Sequence, residues 1–369
     1  MIFRPNYTKA ENQAYKLIKI SGTTEFPIKV KKIAKIFSNL KIRSYSWFAK
    51  KNDMTLEKVC EFAKSDEGCC WYRKSKNQYM ILYNDSIENV GRVRWTIAHE
   101  LGHFMLKHNE RTDKTIFARS SLLGWEYDVY EKEANCFART LLAPPNVLIA
   151  LGKINPGIIA DICGLSTNAA SNVYRFILKG SKNGIRYSQN WVTDLFSKYI
   201  YDYKFRFWCF QCNHSYSHKH AKYCPICGGH TLVKELGDKM LYSGYKLDEN
   251  FRAIQCPRCD NEKIIGDHCH ICGTYLINKC TGFRPEQMYQ EYFGPWHIKF
   301  EHSCGEILDG DARYCLKCGS TSTFLEAGLL IHWQNEKSEI KTAIEEFAQN
   351  KPKGRNSFAL EITDDDLPF

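Results

Sequence analysis

The residues best suited to chemistry lie in the run His99-Glu100-Leu-Gly-His103. On a helix, positions i and i+4 share a face, so both imidazoles can reach one Zn²⁺. Glu100 then projects beside the ion, where a carboxylate can serve as general base toward a metal-polarised water. Ile97-Ala98 and Phe104-Met-Leu106 flank the motif with apolar side chains. Two histidines and a glutamate in such a buried stretch are destabilising unless they have partners or a task. A catalytic zinc takes three protein ligands and keeps a fourth position open. The third ligand is sought downstream, in Glu131-Lys-Glu-Ala-Asn-Cys-Phe-Ala138. Glu131, Ala134, Asn135, Ala138 and Leu142 share a helical face, which selects Glu131 and leaves Glu133 as the alternative. Asn135, one turn beyond Glu131, is placed to hold a ligand histidine in its tautomer.

A second chemistry belongs to cysteine, of which the chain has 17, most of them after residue 205. Cys209-x-x-Cys212 with Cys224-x-x-Cys227, and Cys256-x-x-Cys259 with Cys269-x-x-Cys272, have the spacing of zinc-ribbon knuckles that close a tetrahedral four-thiolate site. A third unit is incomplete. Cys315-x-x-Cys318 is preceded by Cys304, but Glu301 stands where the partner cysteine should be. His302 is the available substitute, and the other reading is a degenerate, metal-free module. The count is one catalytic Zn²⁺ and two or three structural ones. Cys60, Cys69, Cys70, Cys136, Cys163 and Cys280 have no paired spacing and read as buried small hydrophobes. Lys and Arg interleaved with Trp208, Phe210, Tyr216, Tyr223 and Tyr245 suit phosphate contacts and base stacking, or a protein partner.

The sequence closes on Asp364-Asp-Asp-Leu-Pro-Phe369. Asp364, Asp365 and Asp366 suit a basic rim, and Leu367, Pro368 and Phe369 an apolar pocket with a cation for the carboxylate. This peptide resembles the acidic C-terminal tip of bacterial single-stranded-DNA-binding proteins, which implies docking onto replication and repair proteins.

Apolar periodicity locates the elements that must position these groups. Glu11–Ile20 and Ile28–Leu40 read as helices, Gln78–Tyr83 as a strand ended by Asn84-Asp85, and Arg92–Leu106 as the helix that carries His99 and His103. Pro156–Tyr174 has a helix-turn-helix pattern with Ala160 and Gly164 at the crossing. Asn168, Asn172 and Arg175 are its only candidates for reading bases, and packing against the rest of the fold is the preferred role. The resulting organisation is an α+β domain at 1–185 that carries the candidate zinc site (helix-turn-helix-like segment 156–178), which the resemblance given next makes a metallopeptidase domain, and a connector at 186–205. Small β-rich ribbons follow at 206–235, 250–280 and, in degenerate form, 296–333, with a flexible tail at 334–369.

Thr96-Ile-Ala-His-Glu-Leu-Gly-His103, Glu131-x-Glu-Ala-Asn-x-Phe-Ala138 and Leu141-Leu-x-Pro144 together resemble the ImmA/IrrE metallopeptidases, over roughly residues 10–180. The resemblance implies a zincin-like fold and a gluzincin-like zinc endopeptidase, with His99, His103 and Glu131 on zinc and Glu100 as base. It further implies cleavage of a helix-turn-helix repressor in a mobile-element or DNA-damage response. Composition agrees with a folded, soluble chain: 44% hydrophobic and 25% charged residues exclude wholesale disorder. No run approaches the roughly 20 apolar residues of a membrane span, and the first residues lack the apolar core of a signal peptide. A cytoplasmic protein with reduced thiols is expected. The net charge of +10 suits nucleic acid without requiring it.

Overall fold

Gln78–Tyr83, the apolar run read as a strand, is the middle strand of a small mixed sheet. A computed structural model describes residues 4–112, 115–116, 124–234, 239–284 and 304–349. The chain divides into two units, Met1–Ile200 and Tyr201–Asn356, and the architecture is mixed α and β with small sheets. Among the described residues no helix is long and apolar enough to cross a membrane.

In the first unit, α1 (Tyr7–Ser21) and α2 (Val30–Ala34) precede β1 (Leu40–Ser44), α3 (Tyr45–Asn52), α4 (Leu56–Ala63), β2 (Gly68–Arg73) and β3 (Gln78–Tyr83). The sheet order is β1-β3-β2, with β1 parallel and β2 antiparallel to β3. There follow α5 (Val90–Leu106), α6 (His108–Thr112), α7 (Gly124–Leu142), α8 (Pro145–Leu151), α9 (Pro156–Cys163), α10 (Thr167–Lys182) and α11 (Trp191–Leu195); α12 (Ser197–Phe205) contains the boundary between the units. The Asn89 side chain caps α5 by accepting from the Arg92 N–H. Val93, Ile97, Leu101 and Leu106 are buried around α5, because it packs on the sheet and on α7 at once. Gly102 sets the second contact. A β-carbon there would lie 3.2 Å from both Cα and O of Ala134, so any larger residue would press α5 and α7 apart by a few tenths of an ångström.

Two expectations change in this unit. The apolar pattern of Ile28–Leu40 is helical only over Val30–Ala34. Leu40 instead begins β1, where pairing with Tyr79 outweighs continuation of a short helix. The stretch after 185 is not a free connector. Val192 and Phe196 are buried, and the Phe196 and Tyr199 rings pack on Phe26 at 5.1 and 5.4 Å between centroids. Apolar side chains at near-helical spacing are here part of the core.

After α12, the second unit has an antiparallel sheet, β4 (Arg206–Cys209), β5 (Ser215–Ser217) and β6 (Leu232–Val233), in the order β5-β4-β6. Tyr223-Cys-Pro-Ile-Cys-Gly228 and Tyr314-Cys-Leu-Lys-Cys-Gly319 repeat one pattern and meet reciprocally. Tyr223 N–H donates to the Leu316 carbonyl, and Tyr314 N–H to the Pro225 carbonyl. Tyr314 covers Gly228, as Tyr223 covers Gly319; at both glycines a β-carbon would lie 2.9 Å from the ring. The first and third cysteine modules thus share a core, in which Ile226, Tyr242, Tyr314 and Trp333 are buried together. The 334–369 segment is not all tail: after α13 (Thr323–Glu326), α14 spans Trp333–Gln349. Glu336 on α14 pairs with the fully buried Arg313 and accepts from the Ser243 N–H. Asp364–Phe369 lies outside the described residues.

The turn between α9 and α10 rests on the first turn of α5. A β-carbon at Gly91 would lie 2.3 Å from the Ser166 nitrogen and 2.5 Å from the Leu165 carbonyl carbon. Both are backbone atoms, so the turn itself would have to move. Gly91→Ala is expected to destabilise the first unit by about 1–3 kcal/mol, seen as a lower urea midpoint; an unchanged midpoint would dissolve this contact.

Candidate active site and metal centres

α5 and α7 bring the sequence-selected residues to one point. His99 Nε2 lies 3.1 Å from Glu131 Oε2, His103 Nε2 lies 3.3 Å from Glu131 Oε1, and the two Nε2 atoms are 3.0 Å apart. Glu133 is elsewhere. It accepts from the Asn6 N–H at 2.7 Å and from His108 Nε2 at 3.0 Å, with Arg111 at 3.7 Å.

The surrounding hydrogen bonds fix the tautomers. The Asn135 amide oxygen is an acceptor, so His99 Nδ1 is the N–H that donates to it at 3.1 Å. His108 Nε2–H donates to the Glu133 carboxylate, and burial lowers the His108 pKa and keeps that ring neutral. His108 Nδ1 is therefore an acceptor, and His103 Nδ1–H donates to it at 2.9 Å. In these neutral tautomers both ligand Nε2 atoms turn lone pairs toward the Glu131 carboxylate. With both rings neutral, the three acceptors repel one another unless a cation lies between, and two imidazoles with one carboxylate are a donor set suited to zinc. Without a metal, a proton on His99 takes the cation's place beside Glu131. Burial opposes charge on His99, yet its contact with Glu131 outweighs burial and carries the pKa up to about 9. Burial pushes His103 down to about 3. Glu131 stays ionised, since its bonds to His103 and His99 outweigh its burial.

Glu100 is buried beside this cluster. Burial raises its pKa to about 7, while the Cys70 N–H supports the ionised form. A carboxyl that exchanges its proton near neutrality is suited to general acid–base work. The cluster opens into a cleft of about 440 Å³ whose walls include Glu67, Gly68, Arg92, Trp95 and Tyr127. A zinc ion held by His99, His103 and Glu131 would act as Lewis acid on a carbonyl and would acidify water. Glu100 would accept a proton at its carboxylate and return it to the departing amine. Asn135 and His108 hold the two rings in the tautomers that expose Nε2.

Residues 59–153 match the family described as the IrrE N-terminal-like domain, Peptidase_M78. The first unit carries an ImmA/IrrE-type peptidase domain. The match takes in α5 and all of Glu131–Ala138, and it ends before α9. The domain is of a metallopeptidase family, and no curated protein matches the chain.

The second unit holds three groups of four cysteines. The sulfur separations are 3.5 Å for Cys209–Cys227, Cys212–Cys224, Cys256–Cys272 and Cys259–Cys269. A disulfide needs about 2.05 Å, whereas a tetrahedron with zinc–sulfur bonds of about 2.3 Å has edges of roughly 3.8 Å. Each knuckle is built alike. The N–H of the first cysteine donates to the carbonyl five residues on, as Cys209 does to His214 and Cys315 to Ser320. The residue after the second cysteine takes a left-handed conformation, at Asn213, Gly228, Asp260, Gly273 and Gly319.

That template corrects two readings. Cys280 is not a spare small hydrophobe, and the fourth member of the third group is this cysteine. Its sulfur lies 3.4 Å from Cys318, as Cys304 lies 3.4 Å from Cys315. Cys280 N–H donates to the Glu306 carbonyl at 3.0 Å, the bond a cysteine at position 301 would send five residues on. Gly305 keeps the left-handed conformation that follows a second knuckle cysteine. Cys280 thus takes over both the thiolate and the backbone bond of the missing residue. Sequence spacing hid it, since the substitute lies 24 positions before Cys304; His302 falls outside the described residues. The other clue available was Gly305 itself. His108 was also missed, because one histidine five residues past a motif carries no spacing signature of its own.

Two outcomes follow from this geometry. His108→Ala should weaken zinc binding by about 10- to 100-fold in chelator competition, with helical content preserved; unaltered affinity would remove His108 from the site. Cys280→Ser should lower zinc by one equivalent per chain in native mass spectrometry, and an unchanged count would leave the third group without its metal.

Proposed function

We propose that this protein is a zinc-dependent endopeptidase of gluzincin type, with His99, His103 and Glu131 as ligands and Glu100 as general base. The observation that carries the reading is the meeting of three lone-pair acceptors beside a buried carboxyl in an open cleft. The substrate is a protein. Its class, by the ImmA/IrrE resemblance, is a helix-turn-helix repressor of mobile-element or DNA-damage genes. The three groups of four cysteines hold structural zinc and make the second unit a binding module for nucleic acid or protein. Asp364–Phe369 docks on replication or repair proteins of the kind that take single-stranded-DNA-binding-protein tips. A cytoplasmic, reducing setting keeps the thiolates available to metal.

The test is sequencing of new protein N-termini in cells that express the wild type or Glu100→Gln, with and without DNA damage. Removal of the base should reduce cleavage by at least about 100-fold while zinc stays bound. New termini confined to the wild type, inside a helix-turn-helix regulator, support the reading. Matching profiles under both conditions overturn it, and leave the second unit to act as a non-proteolytic adaptor.

A further inference from the structure

A second cavity, of about 740 Å³, lies beside the cleft. Glu67, Arg92, Trp95 and Asn135 belong to the walls of both, so the two are lobes of one groove. The far wall of the second lobe is the start of α10, through Ser166, Asn168, Ala169 and Asn172. These include the asparagines that a DNA-reading helix would use, and they stand instead along a path that leads to Glu100. The groove is fixed rather than incidental. The turn before α10 is seated on α5 at Gly91, and the Ser166 side chain caps α10 by accepting from the Ala169 N–H.

The spacing of the two asparagines suits a particular shape of ligand. Asn168 and Asn172 are one helical turn apart, a rise of about 6 Å. In an extended peptide, residues i and i+2 face the same way about 6.6 Å apart. Two carboxamides at that separation can meet successive same-side residues of one strand, Asn168 offering both a donor and an acceptor to a peptide group. Asn172 Oδ1 accepts from Arg175 at 2.7 Å, so the group it brings to a ligand is its NH2 donor. Both side chains are exposed. Between the lobes the wall is the Glu67–Arg92 ion pair beside Trp95. A chain crossing there meets both charges and an aromatic ring.

We propose that the exposed face of α10 is the remote wall of the peptide-binding groove, and that Asn168 and Asn172 select substrates by binding an extended segment away from the cleaved bond. The helix-turn-helix-like segment then reads peptide rather than DNA. This inference rests on the endopeptidase reading above and adds the determinant of its narrow specificity.

The probe is a library of peptides from a proteolysed bacterial lysate, treated with the full-length zinc-loaded chain and sequenced at the new ends. Wild type should show sequence preferences next to the cleaved bond and a second set further along the peptide. The Asn168→Ala/Asn172→Ala double variant should lose the second set and keep the first. Its cleavage of peptides that carry the remote residues should fall about tenfold, with short peptides and zinc content unaffected. Alanine favours a helix at exposed sites, so loss of fold does not mimic this result; Asn168→Asp/Asn172→Asp, which removes the donors, should shift the remote preference toward basic residues. Cleavage with an unaltered profile in both variants overturns the groove proposal and spares the peptidase. If the variants instead lose retention on duplex DNA while the profile holds, the segment is a DNA reader. No cleavage by wild type overturns the endopeptidase reading and this inference with it.

Discussion

Both units are organised around electron-pair donors that repel one another unless a cation lies among them. In the first, two imidazole nitrogens and a carboxylate face each other at 3.0–3.3 Å. In the second, sulfurs stand 3.4–3.5 Å apart in three groups. Neither arrangement is one that burial of apolar surface would select. A cation held at either would make metal binding and folding parts of one equilibrium, because it would relieve a repulsion the fold has already concentrated. The difference between them lies in access. Four thiolates close a tetrahedron, while His99, His103 and Glu131 leave one side toward a cleft with Glu100 beside it.

The first arrangement depends on how closely two helices can pack. Gly102 sits between His99 and His103 in register with Ala134 on α7, where any β-carbon would press on the opposing backbone. That close approach is what lets the short carboxylate of Glu131 span both imidazoles. It also places His108, just past the end of α5, behind His103 rather than beside the metal position. In the second unit the comparable constraint is the reciprocal seating of Tyr223 on Gly319 and Tyr314 on Gly228, which turns separate knuckles into a shared core.

Much of this was legible in the residues, and the failures share a cause. His99, Glu100, His103 and the five intact knuckle pairs have fixed local spacings, and local spacing is what a chain without partners displays. The strand at Gln78–Tyr83 and the helix at Arg92–Leu106 were likewise set by their own periodicity. Cys280 and Glu336 were not, because each acts on a residue brought near only by the fold, and His108 lies five residues from His103 with no spacing signature of its own. Ile28–Leu40 failed for a related reason. A short apolar run fits helix and strand alike until a neighbouring strand decides between them. The apolar residues of 191–203 could not be told from those of an exposed amphipathic segment before Phe26 was known to lie against them.

The two glutamates of α7 show what the remaining ambiguity meant physically. At about 100° per residue, positions 131 and 133 point some 200° apart, so one helix cannot aim both at the same ion. Sequence posed them as rivals for a single ligand position, yet the structure gives each a grip on the same cluster from opposite sides. Glu131 meets His99 and His103 directly, while Glu133 reaches His103 through His108 and is itself held by Asn6 and Arg111. A carboxylate one imidazole away makes His103 more electron-rich and locks its Nδ1 proton in place. The Asn6 N–H belongs to the N-cap of α1, so the chain segment that opens the domain bears on the basicity of a ligand nearly 100 residues later. At this cluster the carboxylate that does not meet His99 and His103 directly still holds the far side of His103, through His108.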